Sequence, residues 1–293
     1  VGSCMGLYNY LKDNYSFDVD IYLDDFASSL LFMRYSEQIN ANTDKTKAYD
    51  LFIAVDCSDR QRLGTGSEFF ETAGRTVCID HHISNQGYCE INHLNADACA
   101  AGEVLYELLE EDKISKATAE CLYTAIVHDS GVFQYSSVTP RTMEIAGKLM
   151  GKGIDFSNIV AKTFYEKSYN RNQVLGRALL ESVRLMEGKC IFSVISAANM
   201  EFYRVKPQDL DGIVESLRNT EGVEVAIFLY ETNAQEYKVS LRSKDAVDVS
   251  RVASYYGGGG HIKAAGCTMH GSVYDVINNL TKHIERQLME GSR

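Results

Sequence analysis

Proline is nearly absent from this chain, with two residues in 293. No long polar or low-complexity tract appears either, so nothing reads as an extended linker or disordered tail, and a hydrophobic content of 45% suffices for the cores of two ordinary domains. No apolar run reaches the roughly 18 residues that a membrane-spanning helix needs, and no charged-then-apolar leader opens the sequence. The expectation is a protein that neither spans nor enters a membrane. Cysteine pairs of the C-x-x-C type are missing. The 8 cysteines are scattered, and Cys78 and Cys121 sit inside apolar runs, which reads as reduced thiols in a cytoplasmic compartment. Basic residues are the minority. With 29 Lys and Arg against 40 Asp and Glu, the formal charge of -11 repels long polyanions and excludes a protein that coats duplex nucleic acid. Short anionic substrates stay compatible, because divalent cations can supply the missing positive charge locally. There is no G-x-x-x-x-G-K-[ST] loop and no G-x-S-x-G elbow, so neither ATP-driven chemistry nor a serine-nucleophile hydrolase is supported.

What is present alternates between strand and helix patterns. DLFIAVD (50 to 56) and TVCID (76 to 80) are short apolar runs ending in an acid, as buried parallel strands would be. Helical patterns cover Leu7 to Leu11, Ala101 to Glu111, Ala117 to Val127, Pro140 to Met150 and Phe156 to Glu166, with Pro140 suited to a first helical turn. From about 188 the rhythm changes. CIFSVIS, VEVAIFLYE and YKVSLRS read as strands, with helices near 207 to 218, 247 to 255 and 273 to 288. The expected fold class is therefore α/β. A parallel-sheet N-terminal domain, residues 1–187, includes a connecting helix from Asn172 to Met186 and is followed by a smaller mixed-sheet α/β domain, residues 188–293.

Acids and imidazoles recur at the ends of apolar runs: Asp56 in AVDCSD, Asp80-His81-His82 in CIDHHISN, and Asp129 in IVHDSGVF. Carboxylate oxygen with imidazole nitrogen suits Mn²⁺, Fe²⁺, Co²⁺ or Zn²⁺, and the edge of an open parallel sheet where strands end is where ligands bind. Taken singly, each position also fits a turn or cap residue, and adjacent histidines on an extended chain face opposite ways. A second constellation is Gly257-Gly258-Gly259-Gly260-His261, ahead of Ala264-Ala265-Gly266 and following Arg242-Ser243 at a strand end. Glycines expose backbone N–H groups to an approaching phosphate, although a bare glycine run also fits a flexible turn. His93, His128, His270 and His283 lack ligand spacing and read as packing or surface residues.

The order and contexts of these motifs resemble the DHH phosphoesterase family over nearly the whole chain. VDCSDRQRLG is similar to its second motif, IDHHISN to its third, HDSGVFQYSSVTPRT to its fourth, and YYGGGGHIKAAGC to the DHH-associated C-terminal domain. VGSCMGLYNYL resembles the tail of the first motif, His-x-x-x-Asp-x-Asp-x-Val-Gly-Ser, cut immediately before Val1. The resemblance implies that Asp56, His81 and Asp129 are metal ligands, Asp56 bridging two ions, with one His and two Asp supplied by the segment before Val1. It implies that Asp80 fixes the His81 ring and that His82 meets the substrate phosphate or protonates the leaving group. Ser130 stands where the family more often has Thr. Arg242, Ser243, Gly257, Gly258, Gly259, Gly260 and His261 are implied to hold the substrate.

The expected activity is that of a two-metal phosphodiesterase of the oligoribonuclease or nanoRNase type. Mn²⁺ is the expected cofactor, two ions per site, with Mg²⁺ or Co²⁺ as substitutes. Substrates are expected to be short RNA oligonucleotides and nucleoside bisphosphates such as 3′-phosphoadenosine 5′-phosphate, with no stable duplex nucleic acid, no membrane partner, and a homodimer as an option. A cyclic di-adenylate or linear dinucleotide phosphodiesterase and a metal-less nucleotide-binding module are the rival readings.

Overall fold

A computed structural model describes residues 1–290. The chain divides into two compact units, Val1–Glu166 and Lys167–Arg293.

The first unit opens with helix α1 (Gly2–Asn14), then runs through a long irregular stretch to strand β1 (Leu51–Val55). That stretch is tied down by Asp20, whose carboxylate accepts from Lys47 Nζ at 2.7 Å, Asn42 Nδ2 at 2.8 Å and the Tyr49 hydroxyl at 2.5 Å. Helix α2 (Ser67–Phe70) leads to β2 (Arg75–Asp80) and β3 (Ile91–Leu94). All three strands are parallel, in the order β1-β2-β3, with Ile53 opposite Val77 and Val77 opposite Ile91. The parallel sheet expected from the two apolar runs is therefore present, with β3 added beside them.

Helices α3 (Ala101–Leu108), α4 (Lys116–Asp129), α5 (Pro140–Met150) and α6 (Phe156–Val160) follow, with a single π-helical turn, Ala161–Tyr165, continuing α6. Helix α5 starts where local chemistry dictates: Pro140 occupies its first turn and Thr139 and Thr142 form a reciprocal capping box. Helix α4 is central. Leu122, Ile126 and Val127 are fully buried against Leu105, Ile145 and Leu149, and each large side chain removed from water stabilises the fold by about 1.5–3 kcal/mol. Helix α1 lies close against α4 because it presents glycines there. A Cβ at Gly2 would come within 2.8 Å of the Cys121 carbonyl and the Ala125 nitrogen.

In the second unit, α7 (Tyr169–Leu180) packs Val174 and Ala178 into a core with Ile191, Ile195 and Leu217. The helix expected to reach Met186 stops at Leu180. Val183 and Leu185 instead belong to a short strand, β4 (Val183–Leu185), because this segment pairs antiparallel with β5 (Cys190–Ile195). Helix α8 (Ala197–Tyr203) begins at a Ser196–Asn199 capping box. The helix expected over 207 to 218 is split. A 3-10 turn, Pro207–Leu210, is separated from α9 (Ile213–Arg218) by Gly212 at φ 88°, a left-handed conformation that ends one helix before the next begins. Strands β6 (Val225–Asn233) and β7 (Glu236–Ser243), helix α10 (Val249–Ser254), strands β8 (Gly259–His261) and β9 (Ala264–His270) and helix α11 (Val273–Glu290) complete the unit. Its six strands run β4-β5-β6-β7-β9-β8, with β5 and β6 parallel and the other neighbours antiparallel. This is the mixed sheet expected. Among the described residues, no helix is long and apolar enough to cross a membrane.

Candidate metal centre

Parallel strands deliver their carboxyl ends to one sheet edge, so β1 and β2 bring their terminal acids together. Asp56 follows β1 directly, its N–H donating to the Ile79 carbonyl at 3.0 Å, and then turns off the strand at φ 60°. A left-handed conformation at a non-glycine residue costs of order 1 kcal/mol, least for Asp or Asn, and it persists where the surroundings require a side chain to be re-aimed. Asp80, the last residue of β2, is wholly buried.

The two histidines after it are held by different partners. His81 Nδ1 lies 3.3 Å from the Ala98 carbonyl. With Nδ1–H donating there, Nε2 faces two carboxylates, 3.5 Å from Asp56 Oδ1 and 3.9 Å from Asp129 Oδ2. His82 Nδ1 is 2.7 Å from Asp80 Oδ1. The expectation that Asp80 fixes His81 is thus corrected: Asp80 orients His82, and a backbone carbonyl orients His81. The reason is the alternation of successive side chains, which sends the second histidine back towards its neighbour's carboxylate. The other Asp80 oxygen accepts from Asn85 Nδ2 at 2.7 Å. Both oxygens of this buried carboxylate therefore have a partner, as burial of a charge demands.

Asp129 arrives from the carboxyl end of α4. The chain beyond it makes three successive left-handed residues, Gly131, Val132 and Phe133. Buried Ser130 holds that turn, its Oγ donating to the Val127 carbonyl at 3.2 Å and accepting from Phe133 N–H at 2.9 Å. The hydroxyl thus serves the backbone and leaves Asp129 free to face the site.

The electrostatics favour a cation. Burial, then the charge of Asp56, push the Asp129 carboxyl up to about 6. The nearby Asp56 carboxylate, opposed by burial and helped by Asp129, raises His81 above the usual imidazole range. Burial works to raise Asp56 as well, but the contact with His81 and its charge outweigh it and the carboxyl is lowered. Two carboxylates that compete for one imidazolium mark a place where positive charge is missing. One donor atom each from Asp56, Asp80, His81 and His82 lies within 4.8 Å of the others. Two donors bound about 2.0–2.2 Å from one cation are at most about 4.4 Å apart, and the His81–Asp56 and His81–Asp129 separations of 3.5 and 3.9 Å fall inside that limit. The oxygen and nitrogen donor set fits a divalent cation.

The substrate-holding residues expected in the second unit gather at one end of its sheet. Arg242 on β7 pairs with Ala264 on β9, and Ala264 pairs with His261 on β8, so Arg242 and His261 lie in one row on one face, two strands apart. Arg242 Nε donates to Glu215 Oε1 at 2.7 Å. Ser243 is fully buried and donates its hydroxyl to the Ile262 carbonyl at 3.3 Å. Gly259 and Gly260 belong to the exposed edge strand β8, with Gly257 and Gly258 leading into it. Gly258 accepts no side chain, since a Cβ there would meet Cys267 and the Gly266 carbonyl.

Asn85, the Ala98 carbonyl and Glu215 were not singled out from the sequence. Asn85 lies within the IDHHISN motif, and a buried acid beside a His-His pair signals the need for a further donor. Ala98 and Glu215 act through contacts distant in sequence and give no local sign.

Residues 1–126 match the family model described as "DHH family, N-terminal domain", and residues 188–290 match the one described as "DHHA1 domain". The chain is 27% identical to the bifunctional oligoribonuclease and PAP phosphatase NrnA of Thermus thermophilus over 92% of this chain and 80% of that one. It is 25% identical to the Bacillus subtilis protein of the same name, over 92% of this chain and 85% of the relative. A crystal structure of an exopolyphosphatase-related protein from Bacteroides fragilis superposes with a TM-score of 0.89 at 24% identity, covering 100% of this chain and 90% of that one. That likeness concerns the fold.

Proposed function

This chain belongs to the DHH family and carries a DHHA1 domain, and from that premise we propose that it is a divalent-metal-dependent phosphoesterase that hydrolyses short oligoribonucleotides to mononucleotides. We extend the reading to removal of the 3′-phosphate from 3′-phosphoadenosine 5′-phosphate, the pair of activities named for the Thermus and Bacillus relatives. The observation that carries it is the convergence of Asp56 and Asp129 on the Nε2 of His81, with the His81 ring held through Nδ1.

In this reading Asp56, His81 and Asp129 would hold divalent cations, with Mn²⁺ the proposed metal. When bound, such ions neutralise charge growing on the phosphoryl oxygens and make water a competent nucleophile near neutral pH. The chain's own residues supply the rest. Asp80 accepts from His82 Nδ1–H, which leaves Nε2 of the half-exposed ring as the atom that takes up a proton from solvent and hands it to the departing ester oxygen. Asn85 holds Asp80 in place by donating to its other oxygen. In the division of labour proposed, residues 1–187 cut and residues 188–293 bind, with Arg242, Ser243, the Gly257–Gly260 run and His261 as the substrate-holding set.

The test is a panel of RNAs from dinucleotides to about twenty residues, the nucleoside bisphosphate, pyrophosphate and cyclic di-adenylate, each incubated with the full-length protein and Mn²⁺. Fastest turnover of the shortest RNAs supports the reading. Preference for pyrophosphate, for the cyclic dinucleotide or for the longest strand overturns it.

A further inference from the structure

The second unit carries another set of matched groups, on α10 and α11. The rings of Tyr255 and His283 stack with centroids 4.1 Å apart and planes 14° from parallel. Their mounting is firm. Tyr256, the next residue, donates its hydroxyl to the Asn279 carbonyl at 2.9 Å, and the Gln287 amide accepts from the Asp248 N–H and donates to its carbonyl at 2.8 and 3.2 Å. Helix α11 thus clamps the residues on both sides of α10. Because His283 covers one face of Tyr255, the 59% exposure of that residue belongs to the opposite face and the ring edge.

Three cations border this ring pair. Arg251 and Arg286 line a depression of about 110 Å³ together with Tyr255 and His283. Arg286 and Lys282 line an adjoining one of about 420 Å³. None of the three forms an ion pair among the described residues, in a chain whose net charge is -11. Glu285 and Glu290 share the depressions, so cations outnumber carboxylates three to two. Burial, then the charges of Arg286 and Lys282, hold His283 below the usual imidazole range, so its ring stacks as a neutral aromatic.

An exposed aromatic face backed by a second ring and flanked by unpaired guanidinium groups matches a base with its phosphates. Lys282 and Arg286 are one helical turn apart, about 6 Å along the axis, so successive phosphates of one strand can be met together. Free phosphate or an anionic lipid surface would use the cations and leave the flat ring without a partner. We propose that this face of α10 and α11 docks a single-stranded oligonucleotide, with Tyr255 stacking on a base and Arg251, Lys282 and Arg286 holding phosphates. The inference stands on the second unit alone and does not rest on the metal-centre reading.

The chain contains no tryptophan, so Tyr255→Trp installs one fluorophore at the platform. The full-length variant, kept under chelator to prevent hydrolysis, is titrated with octa-adenylate, adenosine monophosphate and inorganic phosphate. Saturable quenching by the octamer, far weaker quenching by the mononucleotide and none by phosphate is the expected result. In parallel, Tyr255→Ala and the double variant Arg251→Ala/Arg286→Ala each weaken binding of a labelled octamer at least about fivefold, and binding weakens steeply with added salt. No quenching by the octamer, equal quenching by mononucleotide and octamer, or unchanged octamer affinity in both variants overturns the proposal. Hydrolysis by the unmodified protein with Mn²⁺, measured separately, shows whether any failure lies in the platform or in the phosphoesterase reading.

Discussion

Asp80 and His82 are paired in the metal centre, Oδ1 to Nδ1 at 2.7 Å, and the carboxylate in that pair is completely buried. A buried acid that orients a half-buried imidazole has a chemical consequence: the donor at Nδ1 is fixed, and Nε2 is the atom left to handle a proton.

Asp80→Asn separates that role from metal binding. The amide can offer only one oxygen to two donors, His82 and Asn85, so the His82 tautomer is no longer enforced. We expect kcat to fall about 100-fold or more, with bound Mn²⁺ per chain unchanged by elemental analysis. Loss of metal in step with activity would contradict the assignment.

Asn85→Ala leaves one oxygen of a buried carboxylate without a donor. Stability falls by about 1–3 kcal/mol, read as a lower urea midpoint with an unchanged slope. An unchanged midpoint would show that water replaces the amide at no cost.

Asp129 makes the metal-free protein pH-sensitive in a defined direction. Its folded pKa of about 6 lies above the ordinary carboxylate value, so protonation favours the folded state at low pH and that contribution is lost as pH rises through about 6. Asp129→Asn, which cannot ionise, should raise the melting temperature of the metal-free protein at pH 8, with the gain shrinking as pH falls through about 6 and vanishing below about pH 4. The same variant binds Mn²⁺ less tightly. Equal melting temperatures for both proteins at all pH values would show that the site carries no surplus negative charge.

Gly2→Ala probes the packing that places the start of α1 against α4. The added Cβ sits 2.8 Å from the Cys121 carbonyl and the Ala125 nitrogen, both backbone atoms of α4, so no flexible side chain can yield. Overpacking of this kind costs about 1–3 kcal/mol, measured by chemical denaturation. A neutral result would mean the helices separate freely.

Much of this arrangement was legible in residue order because the relevant signals are local. TVCID is apolar, β-branched and ends in an acid, and it is a buried strand ending in Asp80. Pro140 to Met150 has its own start signal and spans those residues. Strand β3, with Asn92 and His93 at its centre, lacks the apolar run that marks a strand and exists because β2 offers it a partner. Strand β4 is three residues long and follows a helix without a break in polarity. The glycine run offers no side chains to read, yet Gly259 and Gly260 pair as an edge strand, since backbone groups alone suffice for a ladder. At the site, residue types pointed to a cation, whereas the division of labour between His81 and His82 depended on which ring nitrogen met Ala98 and which met Asp80. That is a property of the folded backbone.

The most direct test is turnover of an end-labelled RNA trinucleotide with Mn²⁺ by the full-length protein and by His81→Ala, side by side. Outer partners of metal ligands alone are worth about 10- to 100-fold. Removing a ligand should therefore cost at least about 100-fold in rate and lower the Mn²⁺ content. Trinucleotide hydrolysis by the unmodified protein with that loss in the variant is the predicted result. Unchanged hydrolysis by His81→Ala would contradict a metal centre built on Asp56, His81 and Asp129.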